Sequence, residues 1–174
     1  MTFLGKAGAI LALAVLAGCA GSGDRFGDGS GSGASAGGAG ALGGGLGSVD
    51  DPTSPAFFQA SVGDRVFFAV DQSTLSPEAT ATLNAQAEWL LTNSEYTAVI
   101  EGHADERGTT EYNIALGARR ANAVQEFLFS RGIPISRMQV VSFGKERPVE
   151  ICSDEVCYAQ NRRSVTVLSI GAGF

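Results

Sequence analysis

The sequence predicts an α/β (α+β) domain: one mixed β-sheet of about four strands, with two main helices packed on one face. Three observations predict it. β-prone runs and segments of helical period alternate along the chain in the order β-α-β-α-β-(short α)-β. Only two of the helical segments are long, and connections that return a chain to one sheet need such crossovers. Glycine is also concentrated: 13 of the 27 residues from Gly21 to Gly47 are Gly. That leaves the region from about Ala56 onward, roughly 115 residues up to Ile170, as the part able to build a core.

Within that region, Val66-Phe67-Phe68-Ala69-Val70 is an apolar, β-prone run and reads as a buried strand. A loop from Asp71 to Leu75 follows. Ser76-Pro77-Glu78 then starts a helix, with Ser as N-cap, Pro in the first helical position and an acid in the first turn. Ala79, Leu83, Ala87, Leu90 and Leu91 recur at helical spacing as its apolar face, and Asn93-Ser94 ends it. The second strand is Tyr96 to Gly102, delivering His103-Ala104-Asp105-Glu106-Arg107-Gly108 into a loop.

A second helix runs from about Thr110 to Ser130, with Ile114, Gly117, Ala121, Val124 and Leu128 on one stripe. Gly132 and Pro134 stop it. Met138 to Phe143 is the third strand, residues 154–160 a short helix, and Arg163 to Ile170 the last strand. Phe67, Phe68, Phe127 and Phe143 read as core.

The first 18 residues carry Lys6 and then an uncharged run, Ala7 to Ala17, too short for a membrane span and suited to a secretory signal. The run closes on Leu16-Ala17-Gly18-Cys19, which resembles a bacterial lipobox. In that resemblance, cleavage precedes Cys19 and the cysteine receives covalent lipid, the only prosthetic group expected. Ala20, by the same likeness to lipoprotein sorting rules, directs the product to the outer membrane. Residues 19–55 then form a lipidated Cys and a flexible tether, and residues 56–174 the domain. A Gly-rich chain of ~30 residues spans on the order of 30 Å.

Formal charge is −6, and loss of Lys6 with the signal leaves 11 basic against 18 acidic side chains, or −7. Nucleic-acid binding draws its affinity from basic patches, so no nucleic-acid partner is expected. His103 is the single histidine, which excludes a His-based metal cluster, and no metal site is expected. His103 itself reads as a local hydrogen-bonding residue at a strand end.

The run from Glu101 to Asn113 is similar to the signature of the peptidoglycan-associated lipoproteins, within the larger group sharing the C-terminal domain of outer membrane protein A. Leu116-Gly117, Arg119 to Val124, Ser142 to Pro148 and Tyr158 to Arg163 extend the likeness over nearly all of residues 64–168. It implies an OmpA C-terminal-like fold and a domain that faces the periplasm and grips peptidoglycan non-covalently. The implied ligand is the meso-diaminopimelate of uncrosslinked stems, whose side chain ends in an ammonium and a carboxylate on one carbon.

Carried over by position, Asp105 matches the acid that takes the ammonium. Arg120, fifteen positions on, matches the guanidinium that holds the carboxylate in two parallel hydrogen bonds. Asp71 matches a further site residue, with backbone N–H groups of Val70, Asp71 and the nearby loop as donors. Arg107 and Leu116 match positions lining the same pocket. The implied partners are peptidoglycan, TolB and other Tol proteins, in a Tol–Pal system supporting envelope integrity and outer-membrane constriction during cell division.

The residues alone lead the same way. Asp71 and Asp105 each follow a β-run, so adjacent strands would place both acids at one sheet edge, with Arg120 on the next helix. The bland alternative is an ordinary Asp105–Arg120 surface ion pair. Asn161-Arg162-Arg163 either shapes the binding face or serves as helix cap and salt bridge.

Cys152 and Cys157 read as a disulfide in an exported chain, with free thiols or a metal pair as alternatives. Five positions apart in a regular helix they would be ~8–9 Å apart, too far to bridge, so Cys152 is expected in irregular chain before the short helix and Cys157 in its early turns. No Ser/His/Asp or Cys/His set is present for a hydrolase, and the chain is expected not to be an enzyme. A motor stator carrying the same domain would need a true transmembrane helix in place of the lipobox.

Overall fold

The computed structural model describes residues 46–151 and 153–170. The signal segment, Cys19, most of the tether and Cys152 lie outside the described residues. Four strands, β1 (Arg65–Phe67), β2 (Tyr96–His103), β3 (Met138–Gly144) and β4 (Arg163–Ile170), form one sheet in the order β1-β4-β2-β3. β4 runs antiparallel to both β1 and β2, while β3 is parallel to β2. The sheet is therefore mixed, as expected.

The two long helices are α2 (Pro77–Thr92) and α3 (Thr110–Ser130), with short α1 (Pro55–Phe57) before β1 and α4 (Glu155–Asn161) before β4. Ser76 and Thr109 cap α2 and α3 by accepting from the N–H groups of Ala79 and Tyr112. Both helices cover one face. Ile100 pairs with Thr166 and Gly102 with Ser164, so these four residues share a side of the sheet. Gln86 of α2 accepts from the Thr166 hydroxyl at 2.8 Å on that side, and Gly117 of α3 packs onto Gly102. Between the layers lie Phe58, Leu83, Leu90, Ile100, Val124 and Leu128, all essentially inaccessible.

The Gly102–Gly117 approach decides how close α3 can come. A Cβ on Gly102 would stand 1.9 Å from the Gly117 carbonyl oxygen, and one on Gly117 would stand 2.4 Å from the Ser142 Oγ. The obstacle for Gly102 is backbone and cannot swing aside. Gly102→Ala is expected to destabilise the domain by about 3 kcal/mol, the upper end for overpacking. Urea denaturation should show it as a lower midpoint at unchanged slope.

Several sequence expectations need correction. The run 66–70 is a strand only through Phe67. Phe68 still donates its N–H to the Arg162 carbonyl, but the carbonyls of Phe68, Ala69 and Gln72 go to buried arginine side chains and the chain turns out of the sheet. Phe67 follows buried Val66 in β1 and so points to the face the helices leave open, where it is 43 % exposed, whereas Phe68 is core.

On α2, Leu91 is 52 % exposed and Trp89 is buried in its place. The reason lies in residues 46–55, read from composition as tether. They pack on the domain: Trp89 donates its indole N–H to the Pro52 carbonyl (2.8 Å), Tyr96 donates its hydroxyl to that of Thr53 (3.1 Å), and Ala56 N–H reaches Leu46 O (2.9 Å). A π-helical turn, Phe58–Gly63, then carries Phe58 under Trp89, with ring centroids 4.9 Å apart. On α3, Ile114 is 44 % exposed, and Leu116 and Arg120 take the buried stripe.

Candidate functional site

β1 and β2 are not neighbours, contrary to the sequence reading, because β4 lies between them. Two antiparallel steps nevertheless restore the direction, so the C-terminal ends of both strands, and the N-terminus of α3, meet at one edge. There they enclose a cavity of about 260 Å³. The β1 side supplies Val70 and Asp71, the loop after β2 supplies Asp105, Arg107 and Gly108, and α3 supplies Tyr112, Asn113, Leu116 and Arg120. All six residues selected from the sequence line this one cavity. Its volume, small beside drug-sized clefts, suits the end of a single side chain.

Asp105 is 8 % exposed, and its carboxylate is engaged from two sides. Arg107 donates from Nη2 to Oδ2 at 2.7 Å and Arg162 donates from Nη1 to the same oxygen at 3.2 Å, while the Arg107 backbone N–H reaches Oδ1. Burial works to raise this carboxyl, but the hydrogen bonds from Arg107 and Arg162 together outweigh it and hold it below the usual carboxylate range. Among the described residues its ion pairs are these two, so the Asp105–Arg120 pair that spacing suggested is not formed.

Arg120 is fully buried and acts first as a brace. It donates from Nε to the Gln72 carbonyl (2.8 Å), from Nη1 to that of His103 (2.8 Å) and from Nη2 to that of Ala69 (3.1 Å). These bonds fasten the turn after β1 to the end of β2. A guanidinium carries five N–H donors, so a position remains on each terminal nitrogen. Those two remaining N–H groups are the pair that two parallel bonds to a ligand carboxylate would use, so the brace and the expected ligand role draw on different donors. Burial pulls the Arg120 guanidinium down to about 10, partly opposed by Asp105, which leaves it charged at neutral pH.

Asp71 sits in the left-handed region at φ 58°, held there by the arginine-braced turn. Its carboxylate accepts from the Tyr112 hydroxyl. Tyr112, Asn113 and Gly108 also line the cavity, and the resemblance assigns them no role. Helical spacing could have supplied one, since Tyr112, Leu116 and Arg120 are successive i, i+4 positions on one face of α3. Arg162, read either as shaping the binding face or as helix cap and salt bridge, makes salt bridges: it joins Asp105 to Glu155 (2.6 Å) and donates from Nε to the Phe68 carbonyl (3.1 Å).

Cys157 is buried, disulfide-bonded, and lies in the first turn of α4, where its N–H reaches the Asp154 cap. Its expected partner Cys152 falls outside the described residues.

His103 departs from its expected role. The ring is 1 % exposed and stacks on Phe143, and neither nitrogen has a hydrogen-bond partner among the described residues. The Glu101 carboxylate stands 3.4 Å from Nε2, too loose to count as one. Burial, then the charges of Arg163 and Arg147, push the imidazole down to about 4. The ring thus stays neutral in the fold but protonates near 6.5 when unfolded. The unfolded state binds more protons between these values, so stability should fall as pH drops from 6.5 towards 4, by up to about 3 kcal/mol. Thermal melts across that window should be flatter for His103→Gln, which cannot titrate.

The OmpA family profile matches residues 67–162, more than half of the chain. The chain belongs to the OmpA family. Within this family it falls among the peptidoglycan-associated lipoproteins. It is 54 % identical over 130 residues to the peptidoglycan-associated lipoprotein of Agrobacterium fabrum, covering 75 % of this chain and 72 % of that one. To the Rhizobium meliloti protein of the same name it is 48 % identical over 165 residues, covering 95 % and 87 %. The crystal structure of the peptidoglycan-associated lipoprotein from Burkholderia pseudomallei superposes with a TM-score of 0.62 at 38 % identity, covering 70 % of this chain and 98 % of that one. The C-terminal domain of Helicobacter pylori MotB, at 17 % identity, TM-score 0.58 and coverage of 63 % and 86 %, shares the OmpA-family fold. The relatives are named as lipoproteins associated with peptidoglycan, not as hydrolases.

Proposed function

We propose that this OmpA-family domain binds peptidoglycan non-covalently, taking the zwitterionic end of a meso-diaminopimelate stem into the cavity at the β1 and β2 ends. A lipid on Cys19 anchors the chain in the outer membrane, so that binding ties membrane to wall. The observation that carries the reading is the balance of charge around one side-chain-sized cavity. Asp71 and Asp105 stand against Arg107 and Arg120, two carboxylates and two guanidiniums on its lining. Such a lining attracts neither a bare cation nor a bare anion strongly and rewards a ligand carrying both. The ammonium belongs between Asp71 and Asp105, and the ligand carboxylate towards Arg107 and the remaining N–H positions of Arg120. Leu116 supplies an apolar wall for the methylene stem.

The names of the relatives support the same target, and TolB with the other Tol proteins follows as the partner set, in the service of envelope integrity and constriction at division. Co-sedimentation with purified walls is the test. Walls built on meso-diaminopimelate should retain the protein, while walls with lysine stems, which keep the ammonium but lack the second carboxylate, should bind at least about tenfold more weakly. Equal retention on both walls would refute the diaminopimelate reading.

A further inference from the structure

From the cavity lining back to α4, charges of opposite sign alternate around a closed ring. Arg107 gives Nη2 to Asp105 at 2.7 Å, and its Nη1 stands 3.7 Å from Glu155 Oε2. Arg162 gives Nη1 to Asp105 at 3.2 Å and Nη2 to Glu155 Oε1 at 2.6 Å. Two guanidiniums are thus shared between two carboxylates, one lining the cavity and one on α4. The same helix carries Tyr158, whose ring lies under the Arg107 guanidinium at 4.6 Å, so α4 holds Arg107 by charge and by its π face. Of the ring's members, Asp105 and Arg107 touch the cavity and Glu155 does not.

The charge Asp105 offers a ligand depends on how much of the two guanidiniums it must satisfy alone. With Glu155 ionised, the ring sums to zero: Arg162 divides its donors between two acids, and Arg107 has Glu155 at ion-pair distance. With Glu155 neutral, both cations load onto Asp105, the ring carries a net positive charge, and an incoming ammonium is repelled. We propose that Glu155 is a positioning residue for the ligand site, drawing Arg107 and Arg162 off Asp105 and so keeping that carboxylate available to a ligand's ammonium. The inference rests on the reading that the cavity receives a zwitterionic side chain. A purely structural role is the competing account, since an acid in the first turn of a helix stabilises it against the helix dipole. That role would leave the titration of Asp105 unchanged.

Glu155→Gln in the full chain separates the two. The Glu155 side chain is 59 % exposed, so the effect is screened and moderate. Carboxyl ¹³C NMR should find the Asp105 titration moved further down in the variant. Calorimetry with a soluble tripeptide stem ending in meso-diaminopimelate should find affinity reduced about three- to tenfold at roughly 20 mM salt, and the gap closing near roughly 0.5 M. Glu155→Asp, which keeps the charge, should recover part of the loss.

Arg162→Lys should lose more, because an ammonium cannot reach all three acceptors that the fork meets. If that variant does not fold, the Glu155 variants still decide. Wild-type protein that ignores the tripeptide would overturn the reading of the site and this inference with it. Wild type that binds while Glu155→Gln binds equally well, or leaves the Asp105 titration in place, would overturn the inference alone.

Discussion

Arg120→Leu should cost the domain about 4–6 kcal/mol of stability, a large part of what a domain of this size possesses. The side chain is inaccessible, and its three donors satisfy the carbonyls of Ala69, Gln72 and His103. Leucine fills most of the volume but leaves three acceptors unpaired at a buried edge, each worth about 1–3 kcal/mol, less whatever water recovers. The guanidinium also lies over the Phe68 ring at 5.2 Å, a contact leucine replaces only with dispersion. Urea denaturation followed by circular dichroism is the measurement. Arg120→Lys should fall between leucine and wild type, keeping the charge with one of the three bonds. Wild-type stability in the leucine variant would mean that the brace is incidental. Wall binding by either variant must therefore be read under conditions where it is shown to be folded.

That double duty explains why the sequence disclosed which residues meet but not how each one acts. Helical and strand periods are set by local spacing, so α2, α3, β2, β3 and β4 were legible within a residue or so at each end. Long-range satisfaction of polar groups is not local. Nothing in Val66 to Val70 says that its last carbonyls will be claimed by Arg120 and Arg162, which lie some 50 and 94 positions away along the chain for the bonds at Ala69 and Phe68. The strand is accordingly shorter than its composition suggests, and the structural share of the Arg120 donors is invisible in the sequence.

The same limit applies to Trp89. A glycine-poor stretch of only ten residues, 46–55, looks like tether by composition, and its packing on α2 appears only once the fold places Pro52 beside the indole. The charged ring behind Asp105 is a third case. Arg162 and Glu155 are ordinary surface residue types in sequence, and only the placement of α4 against the Asp105 loop brings them together.

Asp105→Asn should abolish most wall binding while leaving the fold in place. The amide is isosteric and still accepts from Arg162, and Arg162 keeps Glu155 at 2.6 Å, so no buried cation is stranded. What disappears is one of the two negative charges on the cavity lining, with Arg107 and Arg162 now in excess. A charge-assisted hydrogen bond to a ligand ammonium is worth about 1.5–3 kcal/mol, or roughly ten- to a hundredfold in affinity. The loss should exceed that of any variant outside the cavity, Glu155→Gln included.

The pH signature is separate from that of His103. Asp105 is depressed below 3.8 in the fold, so its contribution to stability is present above 3.8 and is lost as pH falls through its lower folded value. Wild type should therefore show an acid limb of destabilisation below about pH 4 that Asp105→Asn lacks, while both keep the His103 limb between 6.5 and 4. Calorimetry with the stem tripeptide and melts against pH check the two halves. An Asn variant that binds the tripeptide as well as wild type would leave Asp71 to carry the ammonium alone.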